Sequence, residues 1–150
     1  MSAVTTPGAA ALEVLRFDHA GLSVADLERS HRFYADVLGF DAVEDEFTLP
    51  AHEIRGRVLV NPAGVRIELF ERRGSLPIRR GHPTEGALQQ GWFQFALATQ
   101  DIEASFTRIV AAGATPLMAP RIAPDGRSRV AFVGDPDGNL VELLQRNAPA

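Results

Sequence analysis

The sequence predicts an α+β fold: two tandem β-α-β-β-β modules whose strands form a cupped mixed sheet, with the helices on its outer face. Three observations carry this. The chain repeats itself: shifted by 75 residues, FDHAGLSVADLERS (17–30) falls on WFQFALATQDIEAS (92–105), and Asp26, Glu28 and Ser30 fall on Asp101, Glu103 and Ser105. Shifted by 74, NPAGVRIELF (61–70) falls on DPDGNLVELL (135–144), with Pro62, Gly64 and Glu68 over Pro136, Gly138 and Glu142. The difference is one gap between LGF (38–40) and AGA (112–114), so the repeat spans most of each half and is a statement about architecture. Second, apolar residues alternate in several short runs, as in strands. Third, one run in each half changes to helical spacing between an acidic cap and a glycine.

Taken in order, Leu15–Val24 alternates and reads as a strand. Asp26 is a good N-cap, and Leu27, Phe33, Tyr34 and Leu38 follow at helical spacing until Gly39 ends the helix. A strand near Phe40–Glu46, an irregular stretch around Leu49–Glu53 and a strand at Arg55–Val60 come next. The NPAG turn then leads into a strand at Val65–Phe70, because proline sets the first turn dihedral and glycine permits the second. The second half repeats the order: strand 91–99, helix 101–112 closed by Gly113, strands near 115–119 and 127–133, the DPDG turn, and strand 140–145.

Composition sets the limits. The 150 residues, 45% hydrophobic and 23% charged, suit one globular domain with a real core. We place that domain at 13–146, with modules 13–71 and 91–146, a linker at 72–90 and a disordered leader at 1–12. A formal charge of −4 gives no basis for nucleic-acid or membrane binding. No apolar run is long enough to span a bilayer, and the N-terminus lacks the pattern of a signal peptide, so a soluble, cytoplasmic protein is expected. The absence of cysteine excludes thiolate nucleophiles, disulfides and cysteine-type zinc sites. All fifteen basic residues are arginine, which removes lysine Schiff-base chemistry. The linker carries Arg72, Arg73, Arg79 and Arg80; it reads as solvated, with arginines able to attract an anionic substrate.

Strand parity locates the chemistry. Phe17 and His19 share one face of the first strand, and Trp92 and Gln94 share one face of its counterpart. Glu68 with Phe70, and Glu142, oppose the apolar residues Ile67, Leu69, Val141 and Leu143. With helices on the apolar side, His19, Glu68, Gln94 and Glu142 line the other face, walled by Phe17, Phe70 and Trp92. Apolar walls with a few converging polar groups describe a small-molecule site. Two carboxylates, an imidazole and an amide oxygen, without sulfur, suit a divalent cation: Ni²⁺, Co²⁺, Mn²⁺, Mg²⁺, Fe²⁺ or Zn²⁺. Singly, each residue has an ordinary structural explanation. Their symmetric placement makes the set.

The segments DHAGLSVADLERSHRFYADVLGF and GDPDGNLVELLQ resemble the vicinal oxygen chelate superfamily, which includes glyoxalase I, methylmalonyl-CoA epimerase, extradiol dioxygenases and bleomycin-resistance proteins. The resemblance covers about residues 14–146 and implies paired βαβββ modules curled around a metal or ligand. The superfamily's four ligand positions match His19, Glu68, Gln94 and Glu142. This chain departs from the usual pattern at Gln94, where histidine is common, and at Ser23, where glyoxalase I enzymes often carry arginine.

The resemblance implies a metal-dependent lyase or isomerase that deprotonates carbon next to a carbonyl of a small substrate. Either Glu142 or Glu68 would be the base, with Glu142 preferred by analogy. His52 is a candidate acid near the site, and a homodimer is expected, with the four ligands within one chain or shared between two. One alternative is a metal-free binder of the bleomycin-resistance type, holding an aromatic or cationic molecule. A second is an iron-dependent dioxygenase, which the loss of a second histidine disfavours.

Overall fold

A computed structural model describes residues 15–78 and 80–147. The leader expected at 1–12 and Arg79 lie outside the described residues. Module 1 comprises β1 (His19–Val24), α1 (Leu27–Asp36), β2 (Ala42–Leu49), β3 (Ile54–Val60) and β4 (Arg66–Arg72). A short α2 (Pro83–Gly86) stands in the linker. Module 2 follows as β5 (Gln94–Ala98), α3 (Ile102–Ala111), β6 (Thr115–Ile122), β7 (Arg129–Gly134) and β8 (Leu140–Gln145). The tandem βαβββ order is the one expected. The strands divide into two four-stranded sheets, ordered β1-β4-β3-β2 and β5-β8-β7-β6. β1 runs parallel to β4 and β5 parallel to β8, while all other neighbours are antiparallel.

The same local chemistry starts both helices. Asp26 accepts from the Arg29 amide at 2.8 Å, and Asp101 from the Ala104 amide at 3.1 Å. The last strand of each module supplies a second cap. Glu71 accepts from the Leu27 amide at 2.7 Å, and its repeat equivalent Gln145 accepts from the Ile102 amide at 2.9 Å. Each side chain satisfies an N–H that the helix leaves without an internal partner, and so pins the helix start to the strand it covers. The predicted turns form with Gly64 at φ +78° and Gly138 at φ +84°, a conformation that favours glycine.

One core holds both modules. Leu59, Ile67 and Leu69 from sheet 1 join Ala131, Val133, Val141 and Leu143 from sheet 2, with Tyr34 of α1 and Ile102 and Ile109 of α3. These are the helix-facing residues of each sheet, as parity requires, and each fully buried aliphatic side chain stabilises by about 1.5–3 kcal/mol. Polar bonds tie the modules together at the edge of this core. The Tyr34 hydroxyl donates to Asp135 at 2.8 Å, and Asp137 accepts from the Ala25 amide at 3.1 Å and from Arg29 at 2.5 Å. Burial, reinforced by Asp135, pushes the Tyr34 hydroxyl well above its ordinary range and keeps it a donor.

The linker is largely exposed, as a solvated segment should be, and is seated at one short turn. Pro83 and Gly86 are buried, and a Cβ on Gly86 would lie 2.9 Å from the Phe93 ring and 3.1 Å from Leu140. Only a glycine lets α2 approach module 2 so closely. Arg80 does not wait for an anion: its guanidinium donates to the carbonyls of Gln89 and Trp92, closing the linker on itself. Arg73 lies 3.9 Å from Glu53, and Arg72 is exposed. Among the described residues no helix is long and apolar enough to cross a membrane.

Candidate functional site

Register assigns the faces. Gly21 pairs with Glu68 and Ser23 with Phe70 across β1 and β4, while Gly56 and Val58 of β3 pair with Phe70 and Glu68. Residues paired this way point to the same side. His19, Gly21, Glu68, Phe70, Gly56 and Val58 therefore share the face turned away from the common core. In module 2 the equivalent face carries Gln94, Ala96, Glu142 and Phe132, since Ala96 and Phe132 both pair with Glu142.

The four polar residues occupy these faces as two pairs. His19 Nε2 lies 3.0 Å from Glu68 Oε2, and His19 Nδ1 lies 2.8 Å from Asp18 Oδ1. The hydrogen bond to Asp18, aided by the charge of Glu68, raises the imidazole above its usual range, against the opposing effect of burial. In module 2, Gln94 Nε2 donates to Glu142 Oε2 at 2.5 Å, leaving Gln94 Oε1 buried without a hydrogen-bond partner among the described residues. Burial pushes the Glu142 carboxyl up, while the Gln94 bond and the charge of Arg146 pull it back. The pairs do not meet within one chain: among the described residues, no three histidine, cysteine, aspartate or glutamate side chains gather around a point where a metal could bind.

With the His19 ring neutral, both pairs have a surplus of acceptors. An ionised carboxylate at Asp18 can only accept, so His19 Nδ1 donates to it, and a neutral ring then turns a bare Nε2 lone pair toward Glu68. On the other face the amide oxygen of Gln94 has no donor; a flipped amide would set that oxygen against the carboxylate of Glu142 instead. A cation relieves both situations. His19 Nε2 and Glu68 Oε2, 3.0 Å apart, are close enough to contribute to one cation together. The donor set fits a divalent cation.

The predicted aromatic walls fare differently. Phe70 is half-buried on the site face, its ring edge-on to Phe47 with centroids 5.7 Å apart. Phe17 and Trp92 are 74% and 90% exposed, at equivalent positions just before β1 and β5. His52 stands in an exposed 3₁₀ turn, Pro50–His52, at the tip between β2 and β3. Sequence reasoning missed Phe47, whose ring covers Gly56 so closely that a Cβ there would fall 2.1 Å from it. Gly56, a glycine inside an apolar strand, was the available signal for such a close approach.

Residues 16–143 match the family model described as Glyoxalase/Bleomycin resistance protein/Dioxygenase superfamily. A Vibrio parahaemolyticus protein named "Probable lactoylglutathione lyase" is 31% identical over 140 residues, covering 87% of this chain and 90% of that protein. The lactoylglutathione lyase of Pseudomonas putida is 29% identical over 150 residues, covering 86% and 84%. Among solved structures, glyoxalase I from Zea mays superposes with a TM-score of 0.70 at 25% identity, over 89% of this chain and 45% of that one. The chain thus spans about half the length of the maize protein.

Proposed function

The chain belongs to the Glyoxalase/Bleomycin resistance protein/Dioxygenase superfamily, and from that premise we propose that it is a divalent-metal-dependent lyase or isomerase of the glyoxalase I type, moving a proton next to a carbonyl of a small substrate. The observation that carries this is the pair of acceptor-rich half-sites, His19–Glu68 and Gln94–Glu142, on equivalent strands of the two modules. The relatives named as lactoylglutathione lyases support the lyase class. Because the two pairs face away from a shared core, the complete site is proposed to form between two copies, module 1 of one facing module 2 of the other. An isologous dimer makes two such sites.

His19, Glu68, Gln94 and Glu142 would hold the cation, which when bound supplies Lewis acidity and makes the C–H beside the carbonyl easier to deprotonate. Glu142 is the proposed base. Gln94, bonded to Glu142 Oε2, fixes the carboxylate's direction. Phe47 and Phe70 would wall the module 1 half of the site, beside His19 and Glu68.

One observation favours the metal-free binder as a second reading: the Gln94–Glu142 bond satisfies one carboxylate oxygen without a cation. Metal content separates the readings. Protein purified without chelator or affinity nickel, and again after reconstitution, should hold about one equivalent of Ni, Co, Mn, Mg, Fe or Zn per chain, lost in Glu68→Ala and Glu142→Ala. Absence of metal under every loading condition would overturn the enzyme reading in favour of the binder.

A further inference from the structure

We propose that Asp18 is a positioning residue: it holds the Nδ1 proton of His19 and so presents the ring's Nε2 lone pair to the cation site beside Glu68. This rests on the metal-site reading above and adds a residue that contacts neither cation nor substrate.

The geometry is specific. Asp18 Oδ1 lies 2.8 Å from His19 Nδ1, while Nε2 on the far side of the ring lies 3.0 Å from Glu68 Oε2. A neutral imidazole carries one proton, and the bond made by one nitrogen decides which nitrogen is left bare. With Asp18 taking the Nδ1 proton, Nε2 is the free donor atom. Without Asp18, the nearest acceptor is Glu68, which would draw the proton to Nε2 and block it. Asp18 thus competes with Glu68 for a single proton, and its presence turns a hydrogen-bonded pair into two ligands.

The repeat supplies an internal control. The position equivalent to Asp18 in module 2 is Phe93, directly before Gln94. An amide has no ring tautomer to fix, so the module with glutamine at the ligand position needs no carboxylate there. The module with histidine has one. Carboxylates that orient a ligating histidine change metal affinity by about 10–100-fold when removed.

Two readouts on the full chain test this. Long-range proton–nitrogen correlation spectra of ¹⁵N-labelled apoprotein at about pH 9, above the ordinary imidazole range, report which nitrogen of His19 is protonated, with the signal assigned by its loss in His19→Gln. The wild type should carry the proton on Nδ1, and Asp18→Ala should move it to Nε2. Competition with a chromophoric chelator for Zn²⁺ should show affinity falling about 10–100-fold in Asp18→Ala, with Asp18→Glu restoring much of it. A wild-type ring protonated on Nε2 would overturn the proposal, as would an Asp18→Ala variant with unchanged tautomer and affinity. If the wild type binds neither Zn²⁺ nor any of the other divalent cations, the metal reading fails, and the tautomer spectra still decide whether Asp18 directs the ring.

Discussion

Module 1 and module 2 share one backbone plan but divide its uses. In module 1 the turn before the last strand is capped by Asn61, whose side chain accepts from the Ala63 and Val65 amides at 3.0 and 2.9 Å and has no further partner among the described residues. In module 2 the equivalent Asp135 holds its own turn, through Asp137 and Asn139, and also accepts from the buried Tyr34 across the module boundary. The sheet faces differ likewise. Gly56 of module 1 lies under the Phe47 ring, whereas its equivalent Val130 pairs with Arg121. Module 1 offers an imidazole and a carboxylate, module 2 an amide and a carboxylate. A repeat preserves what the backbone needs, the caps, turns and strand parity, and leaves side chains free to make one copy the structural anchor and the other the more open half-site.

The sharpest way to break this comparison is to disable one pair at a time. Glu68→Ala and Glu142→Ala should each lower turnover by about 10²–10⁴-fold, the size expected for losing a group that holds the cation or moves a proton. Mixing the two inactive proteins under exchange conditions should restore about a quarter of wild-type activity, because half the dimers are mixed and each mixed dimer has one intact site. No recovery despite proven exchange would place both pairs in a single-chain site.

Next is the anchor. Asp135→Ala strands the Tyr34 hydroxyl in the core and should cost about 3 kcal/mol in urea unfolding. Asn61→Ala, at the equivalent but exposed turn, should cost about 1 kcal/mol or less. Equal costs would show that the two turns are not divided as described. Gly56→Val should cost about 1–3 kcal/mol by driving Phe47 from its seat, and near-ultraviolet circular dichroism should register the disturbed aromatic pair.

Smaller effects test the shared plan. Glu71→Ala and Gln145→Ala should each cost about 1 kcal/mol, the usual value of a lost helix cap, with Glu71 somewhat the larger because Arg55 also forks onto it. The smallest effect is acidic. Asp125 accepts from the Arg127 amide, the Ser128 hydroxyl and the Ser128 amide, which hold its carboxyl down at about 2. A depressed carboxyl contributes stability above its unfolded value, and that contribution fades as pH falls from about 4 through 2. Urea midpoints across that interval should fall less steeply in Asp125→Asn than in the wild type.

Much of this protein could be read from its sequence because the relevant physics is local. The caps Asp26 and Asp101, the turns NPAG and DPDG, and the alternation that sets Glu68 and Glu142 against Ile67 and Val141 depend on neighbours a few residues away. The 75- and 74-residue offsets then copied each local result into the second half. Other features depended on groups distant in the chain. The pairing of His19 with Glu68, and of Gln94 with Glu142, follows from parallel strands brought together across a whole module. The seating of Gly86 against Leu140 and the Tyr34–Asp135 bond likewise join segments far apart in the chain. Local chemistry determined which residues face the site. Only tertiary packing decided that they face it as two separate pairs, because burying the helix-side apolar residues of both sheets in one core turns the two polar faces away from each other.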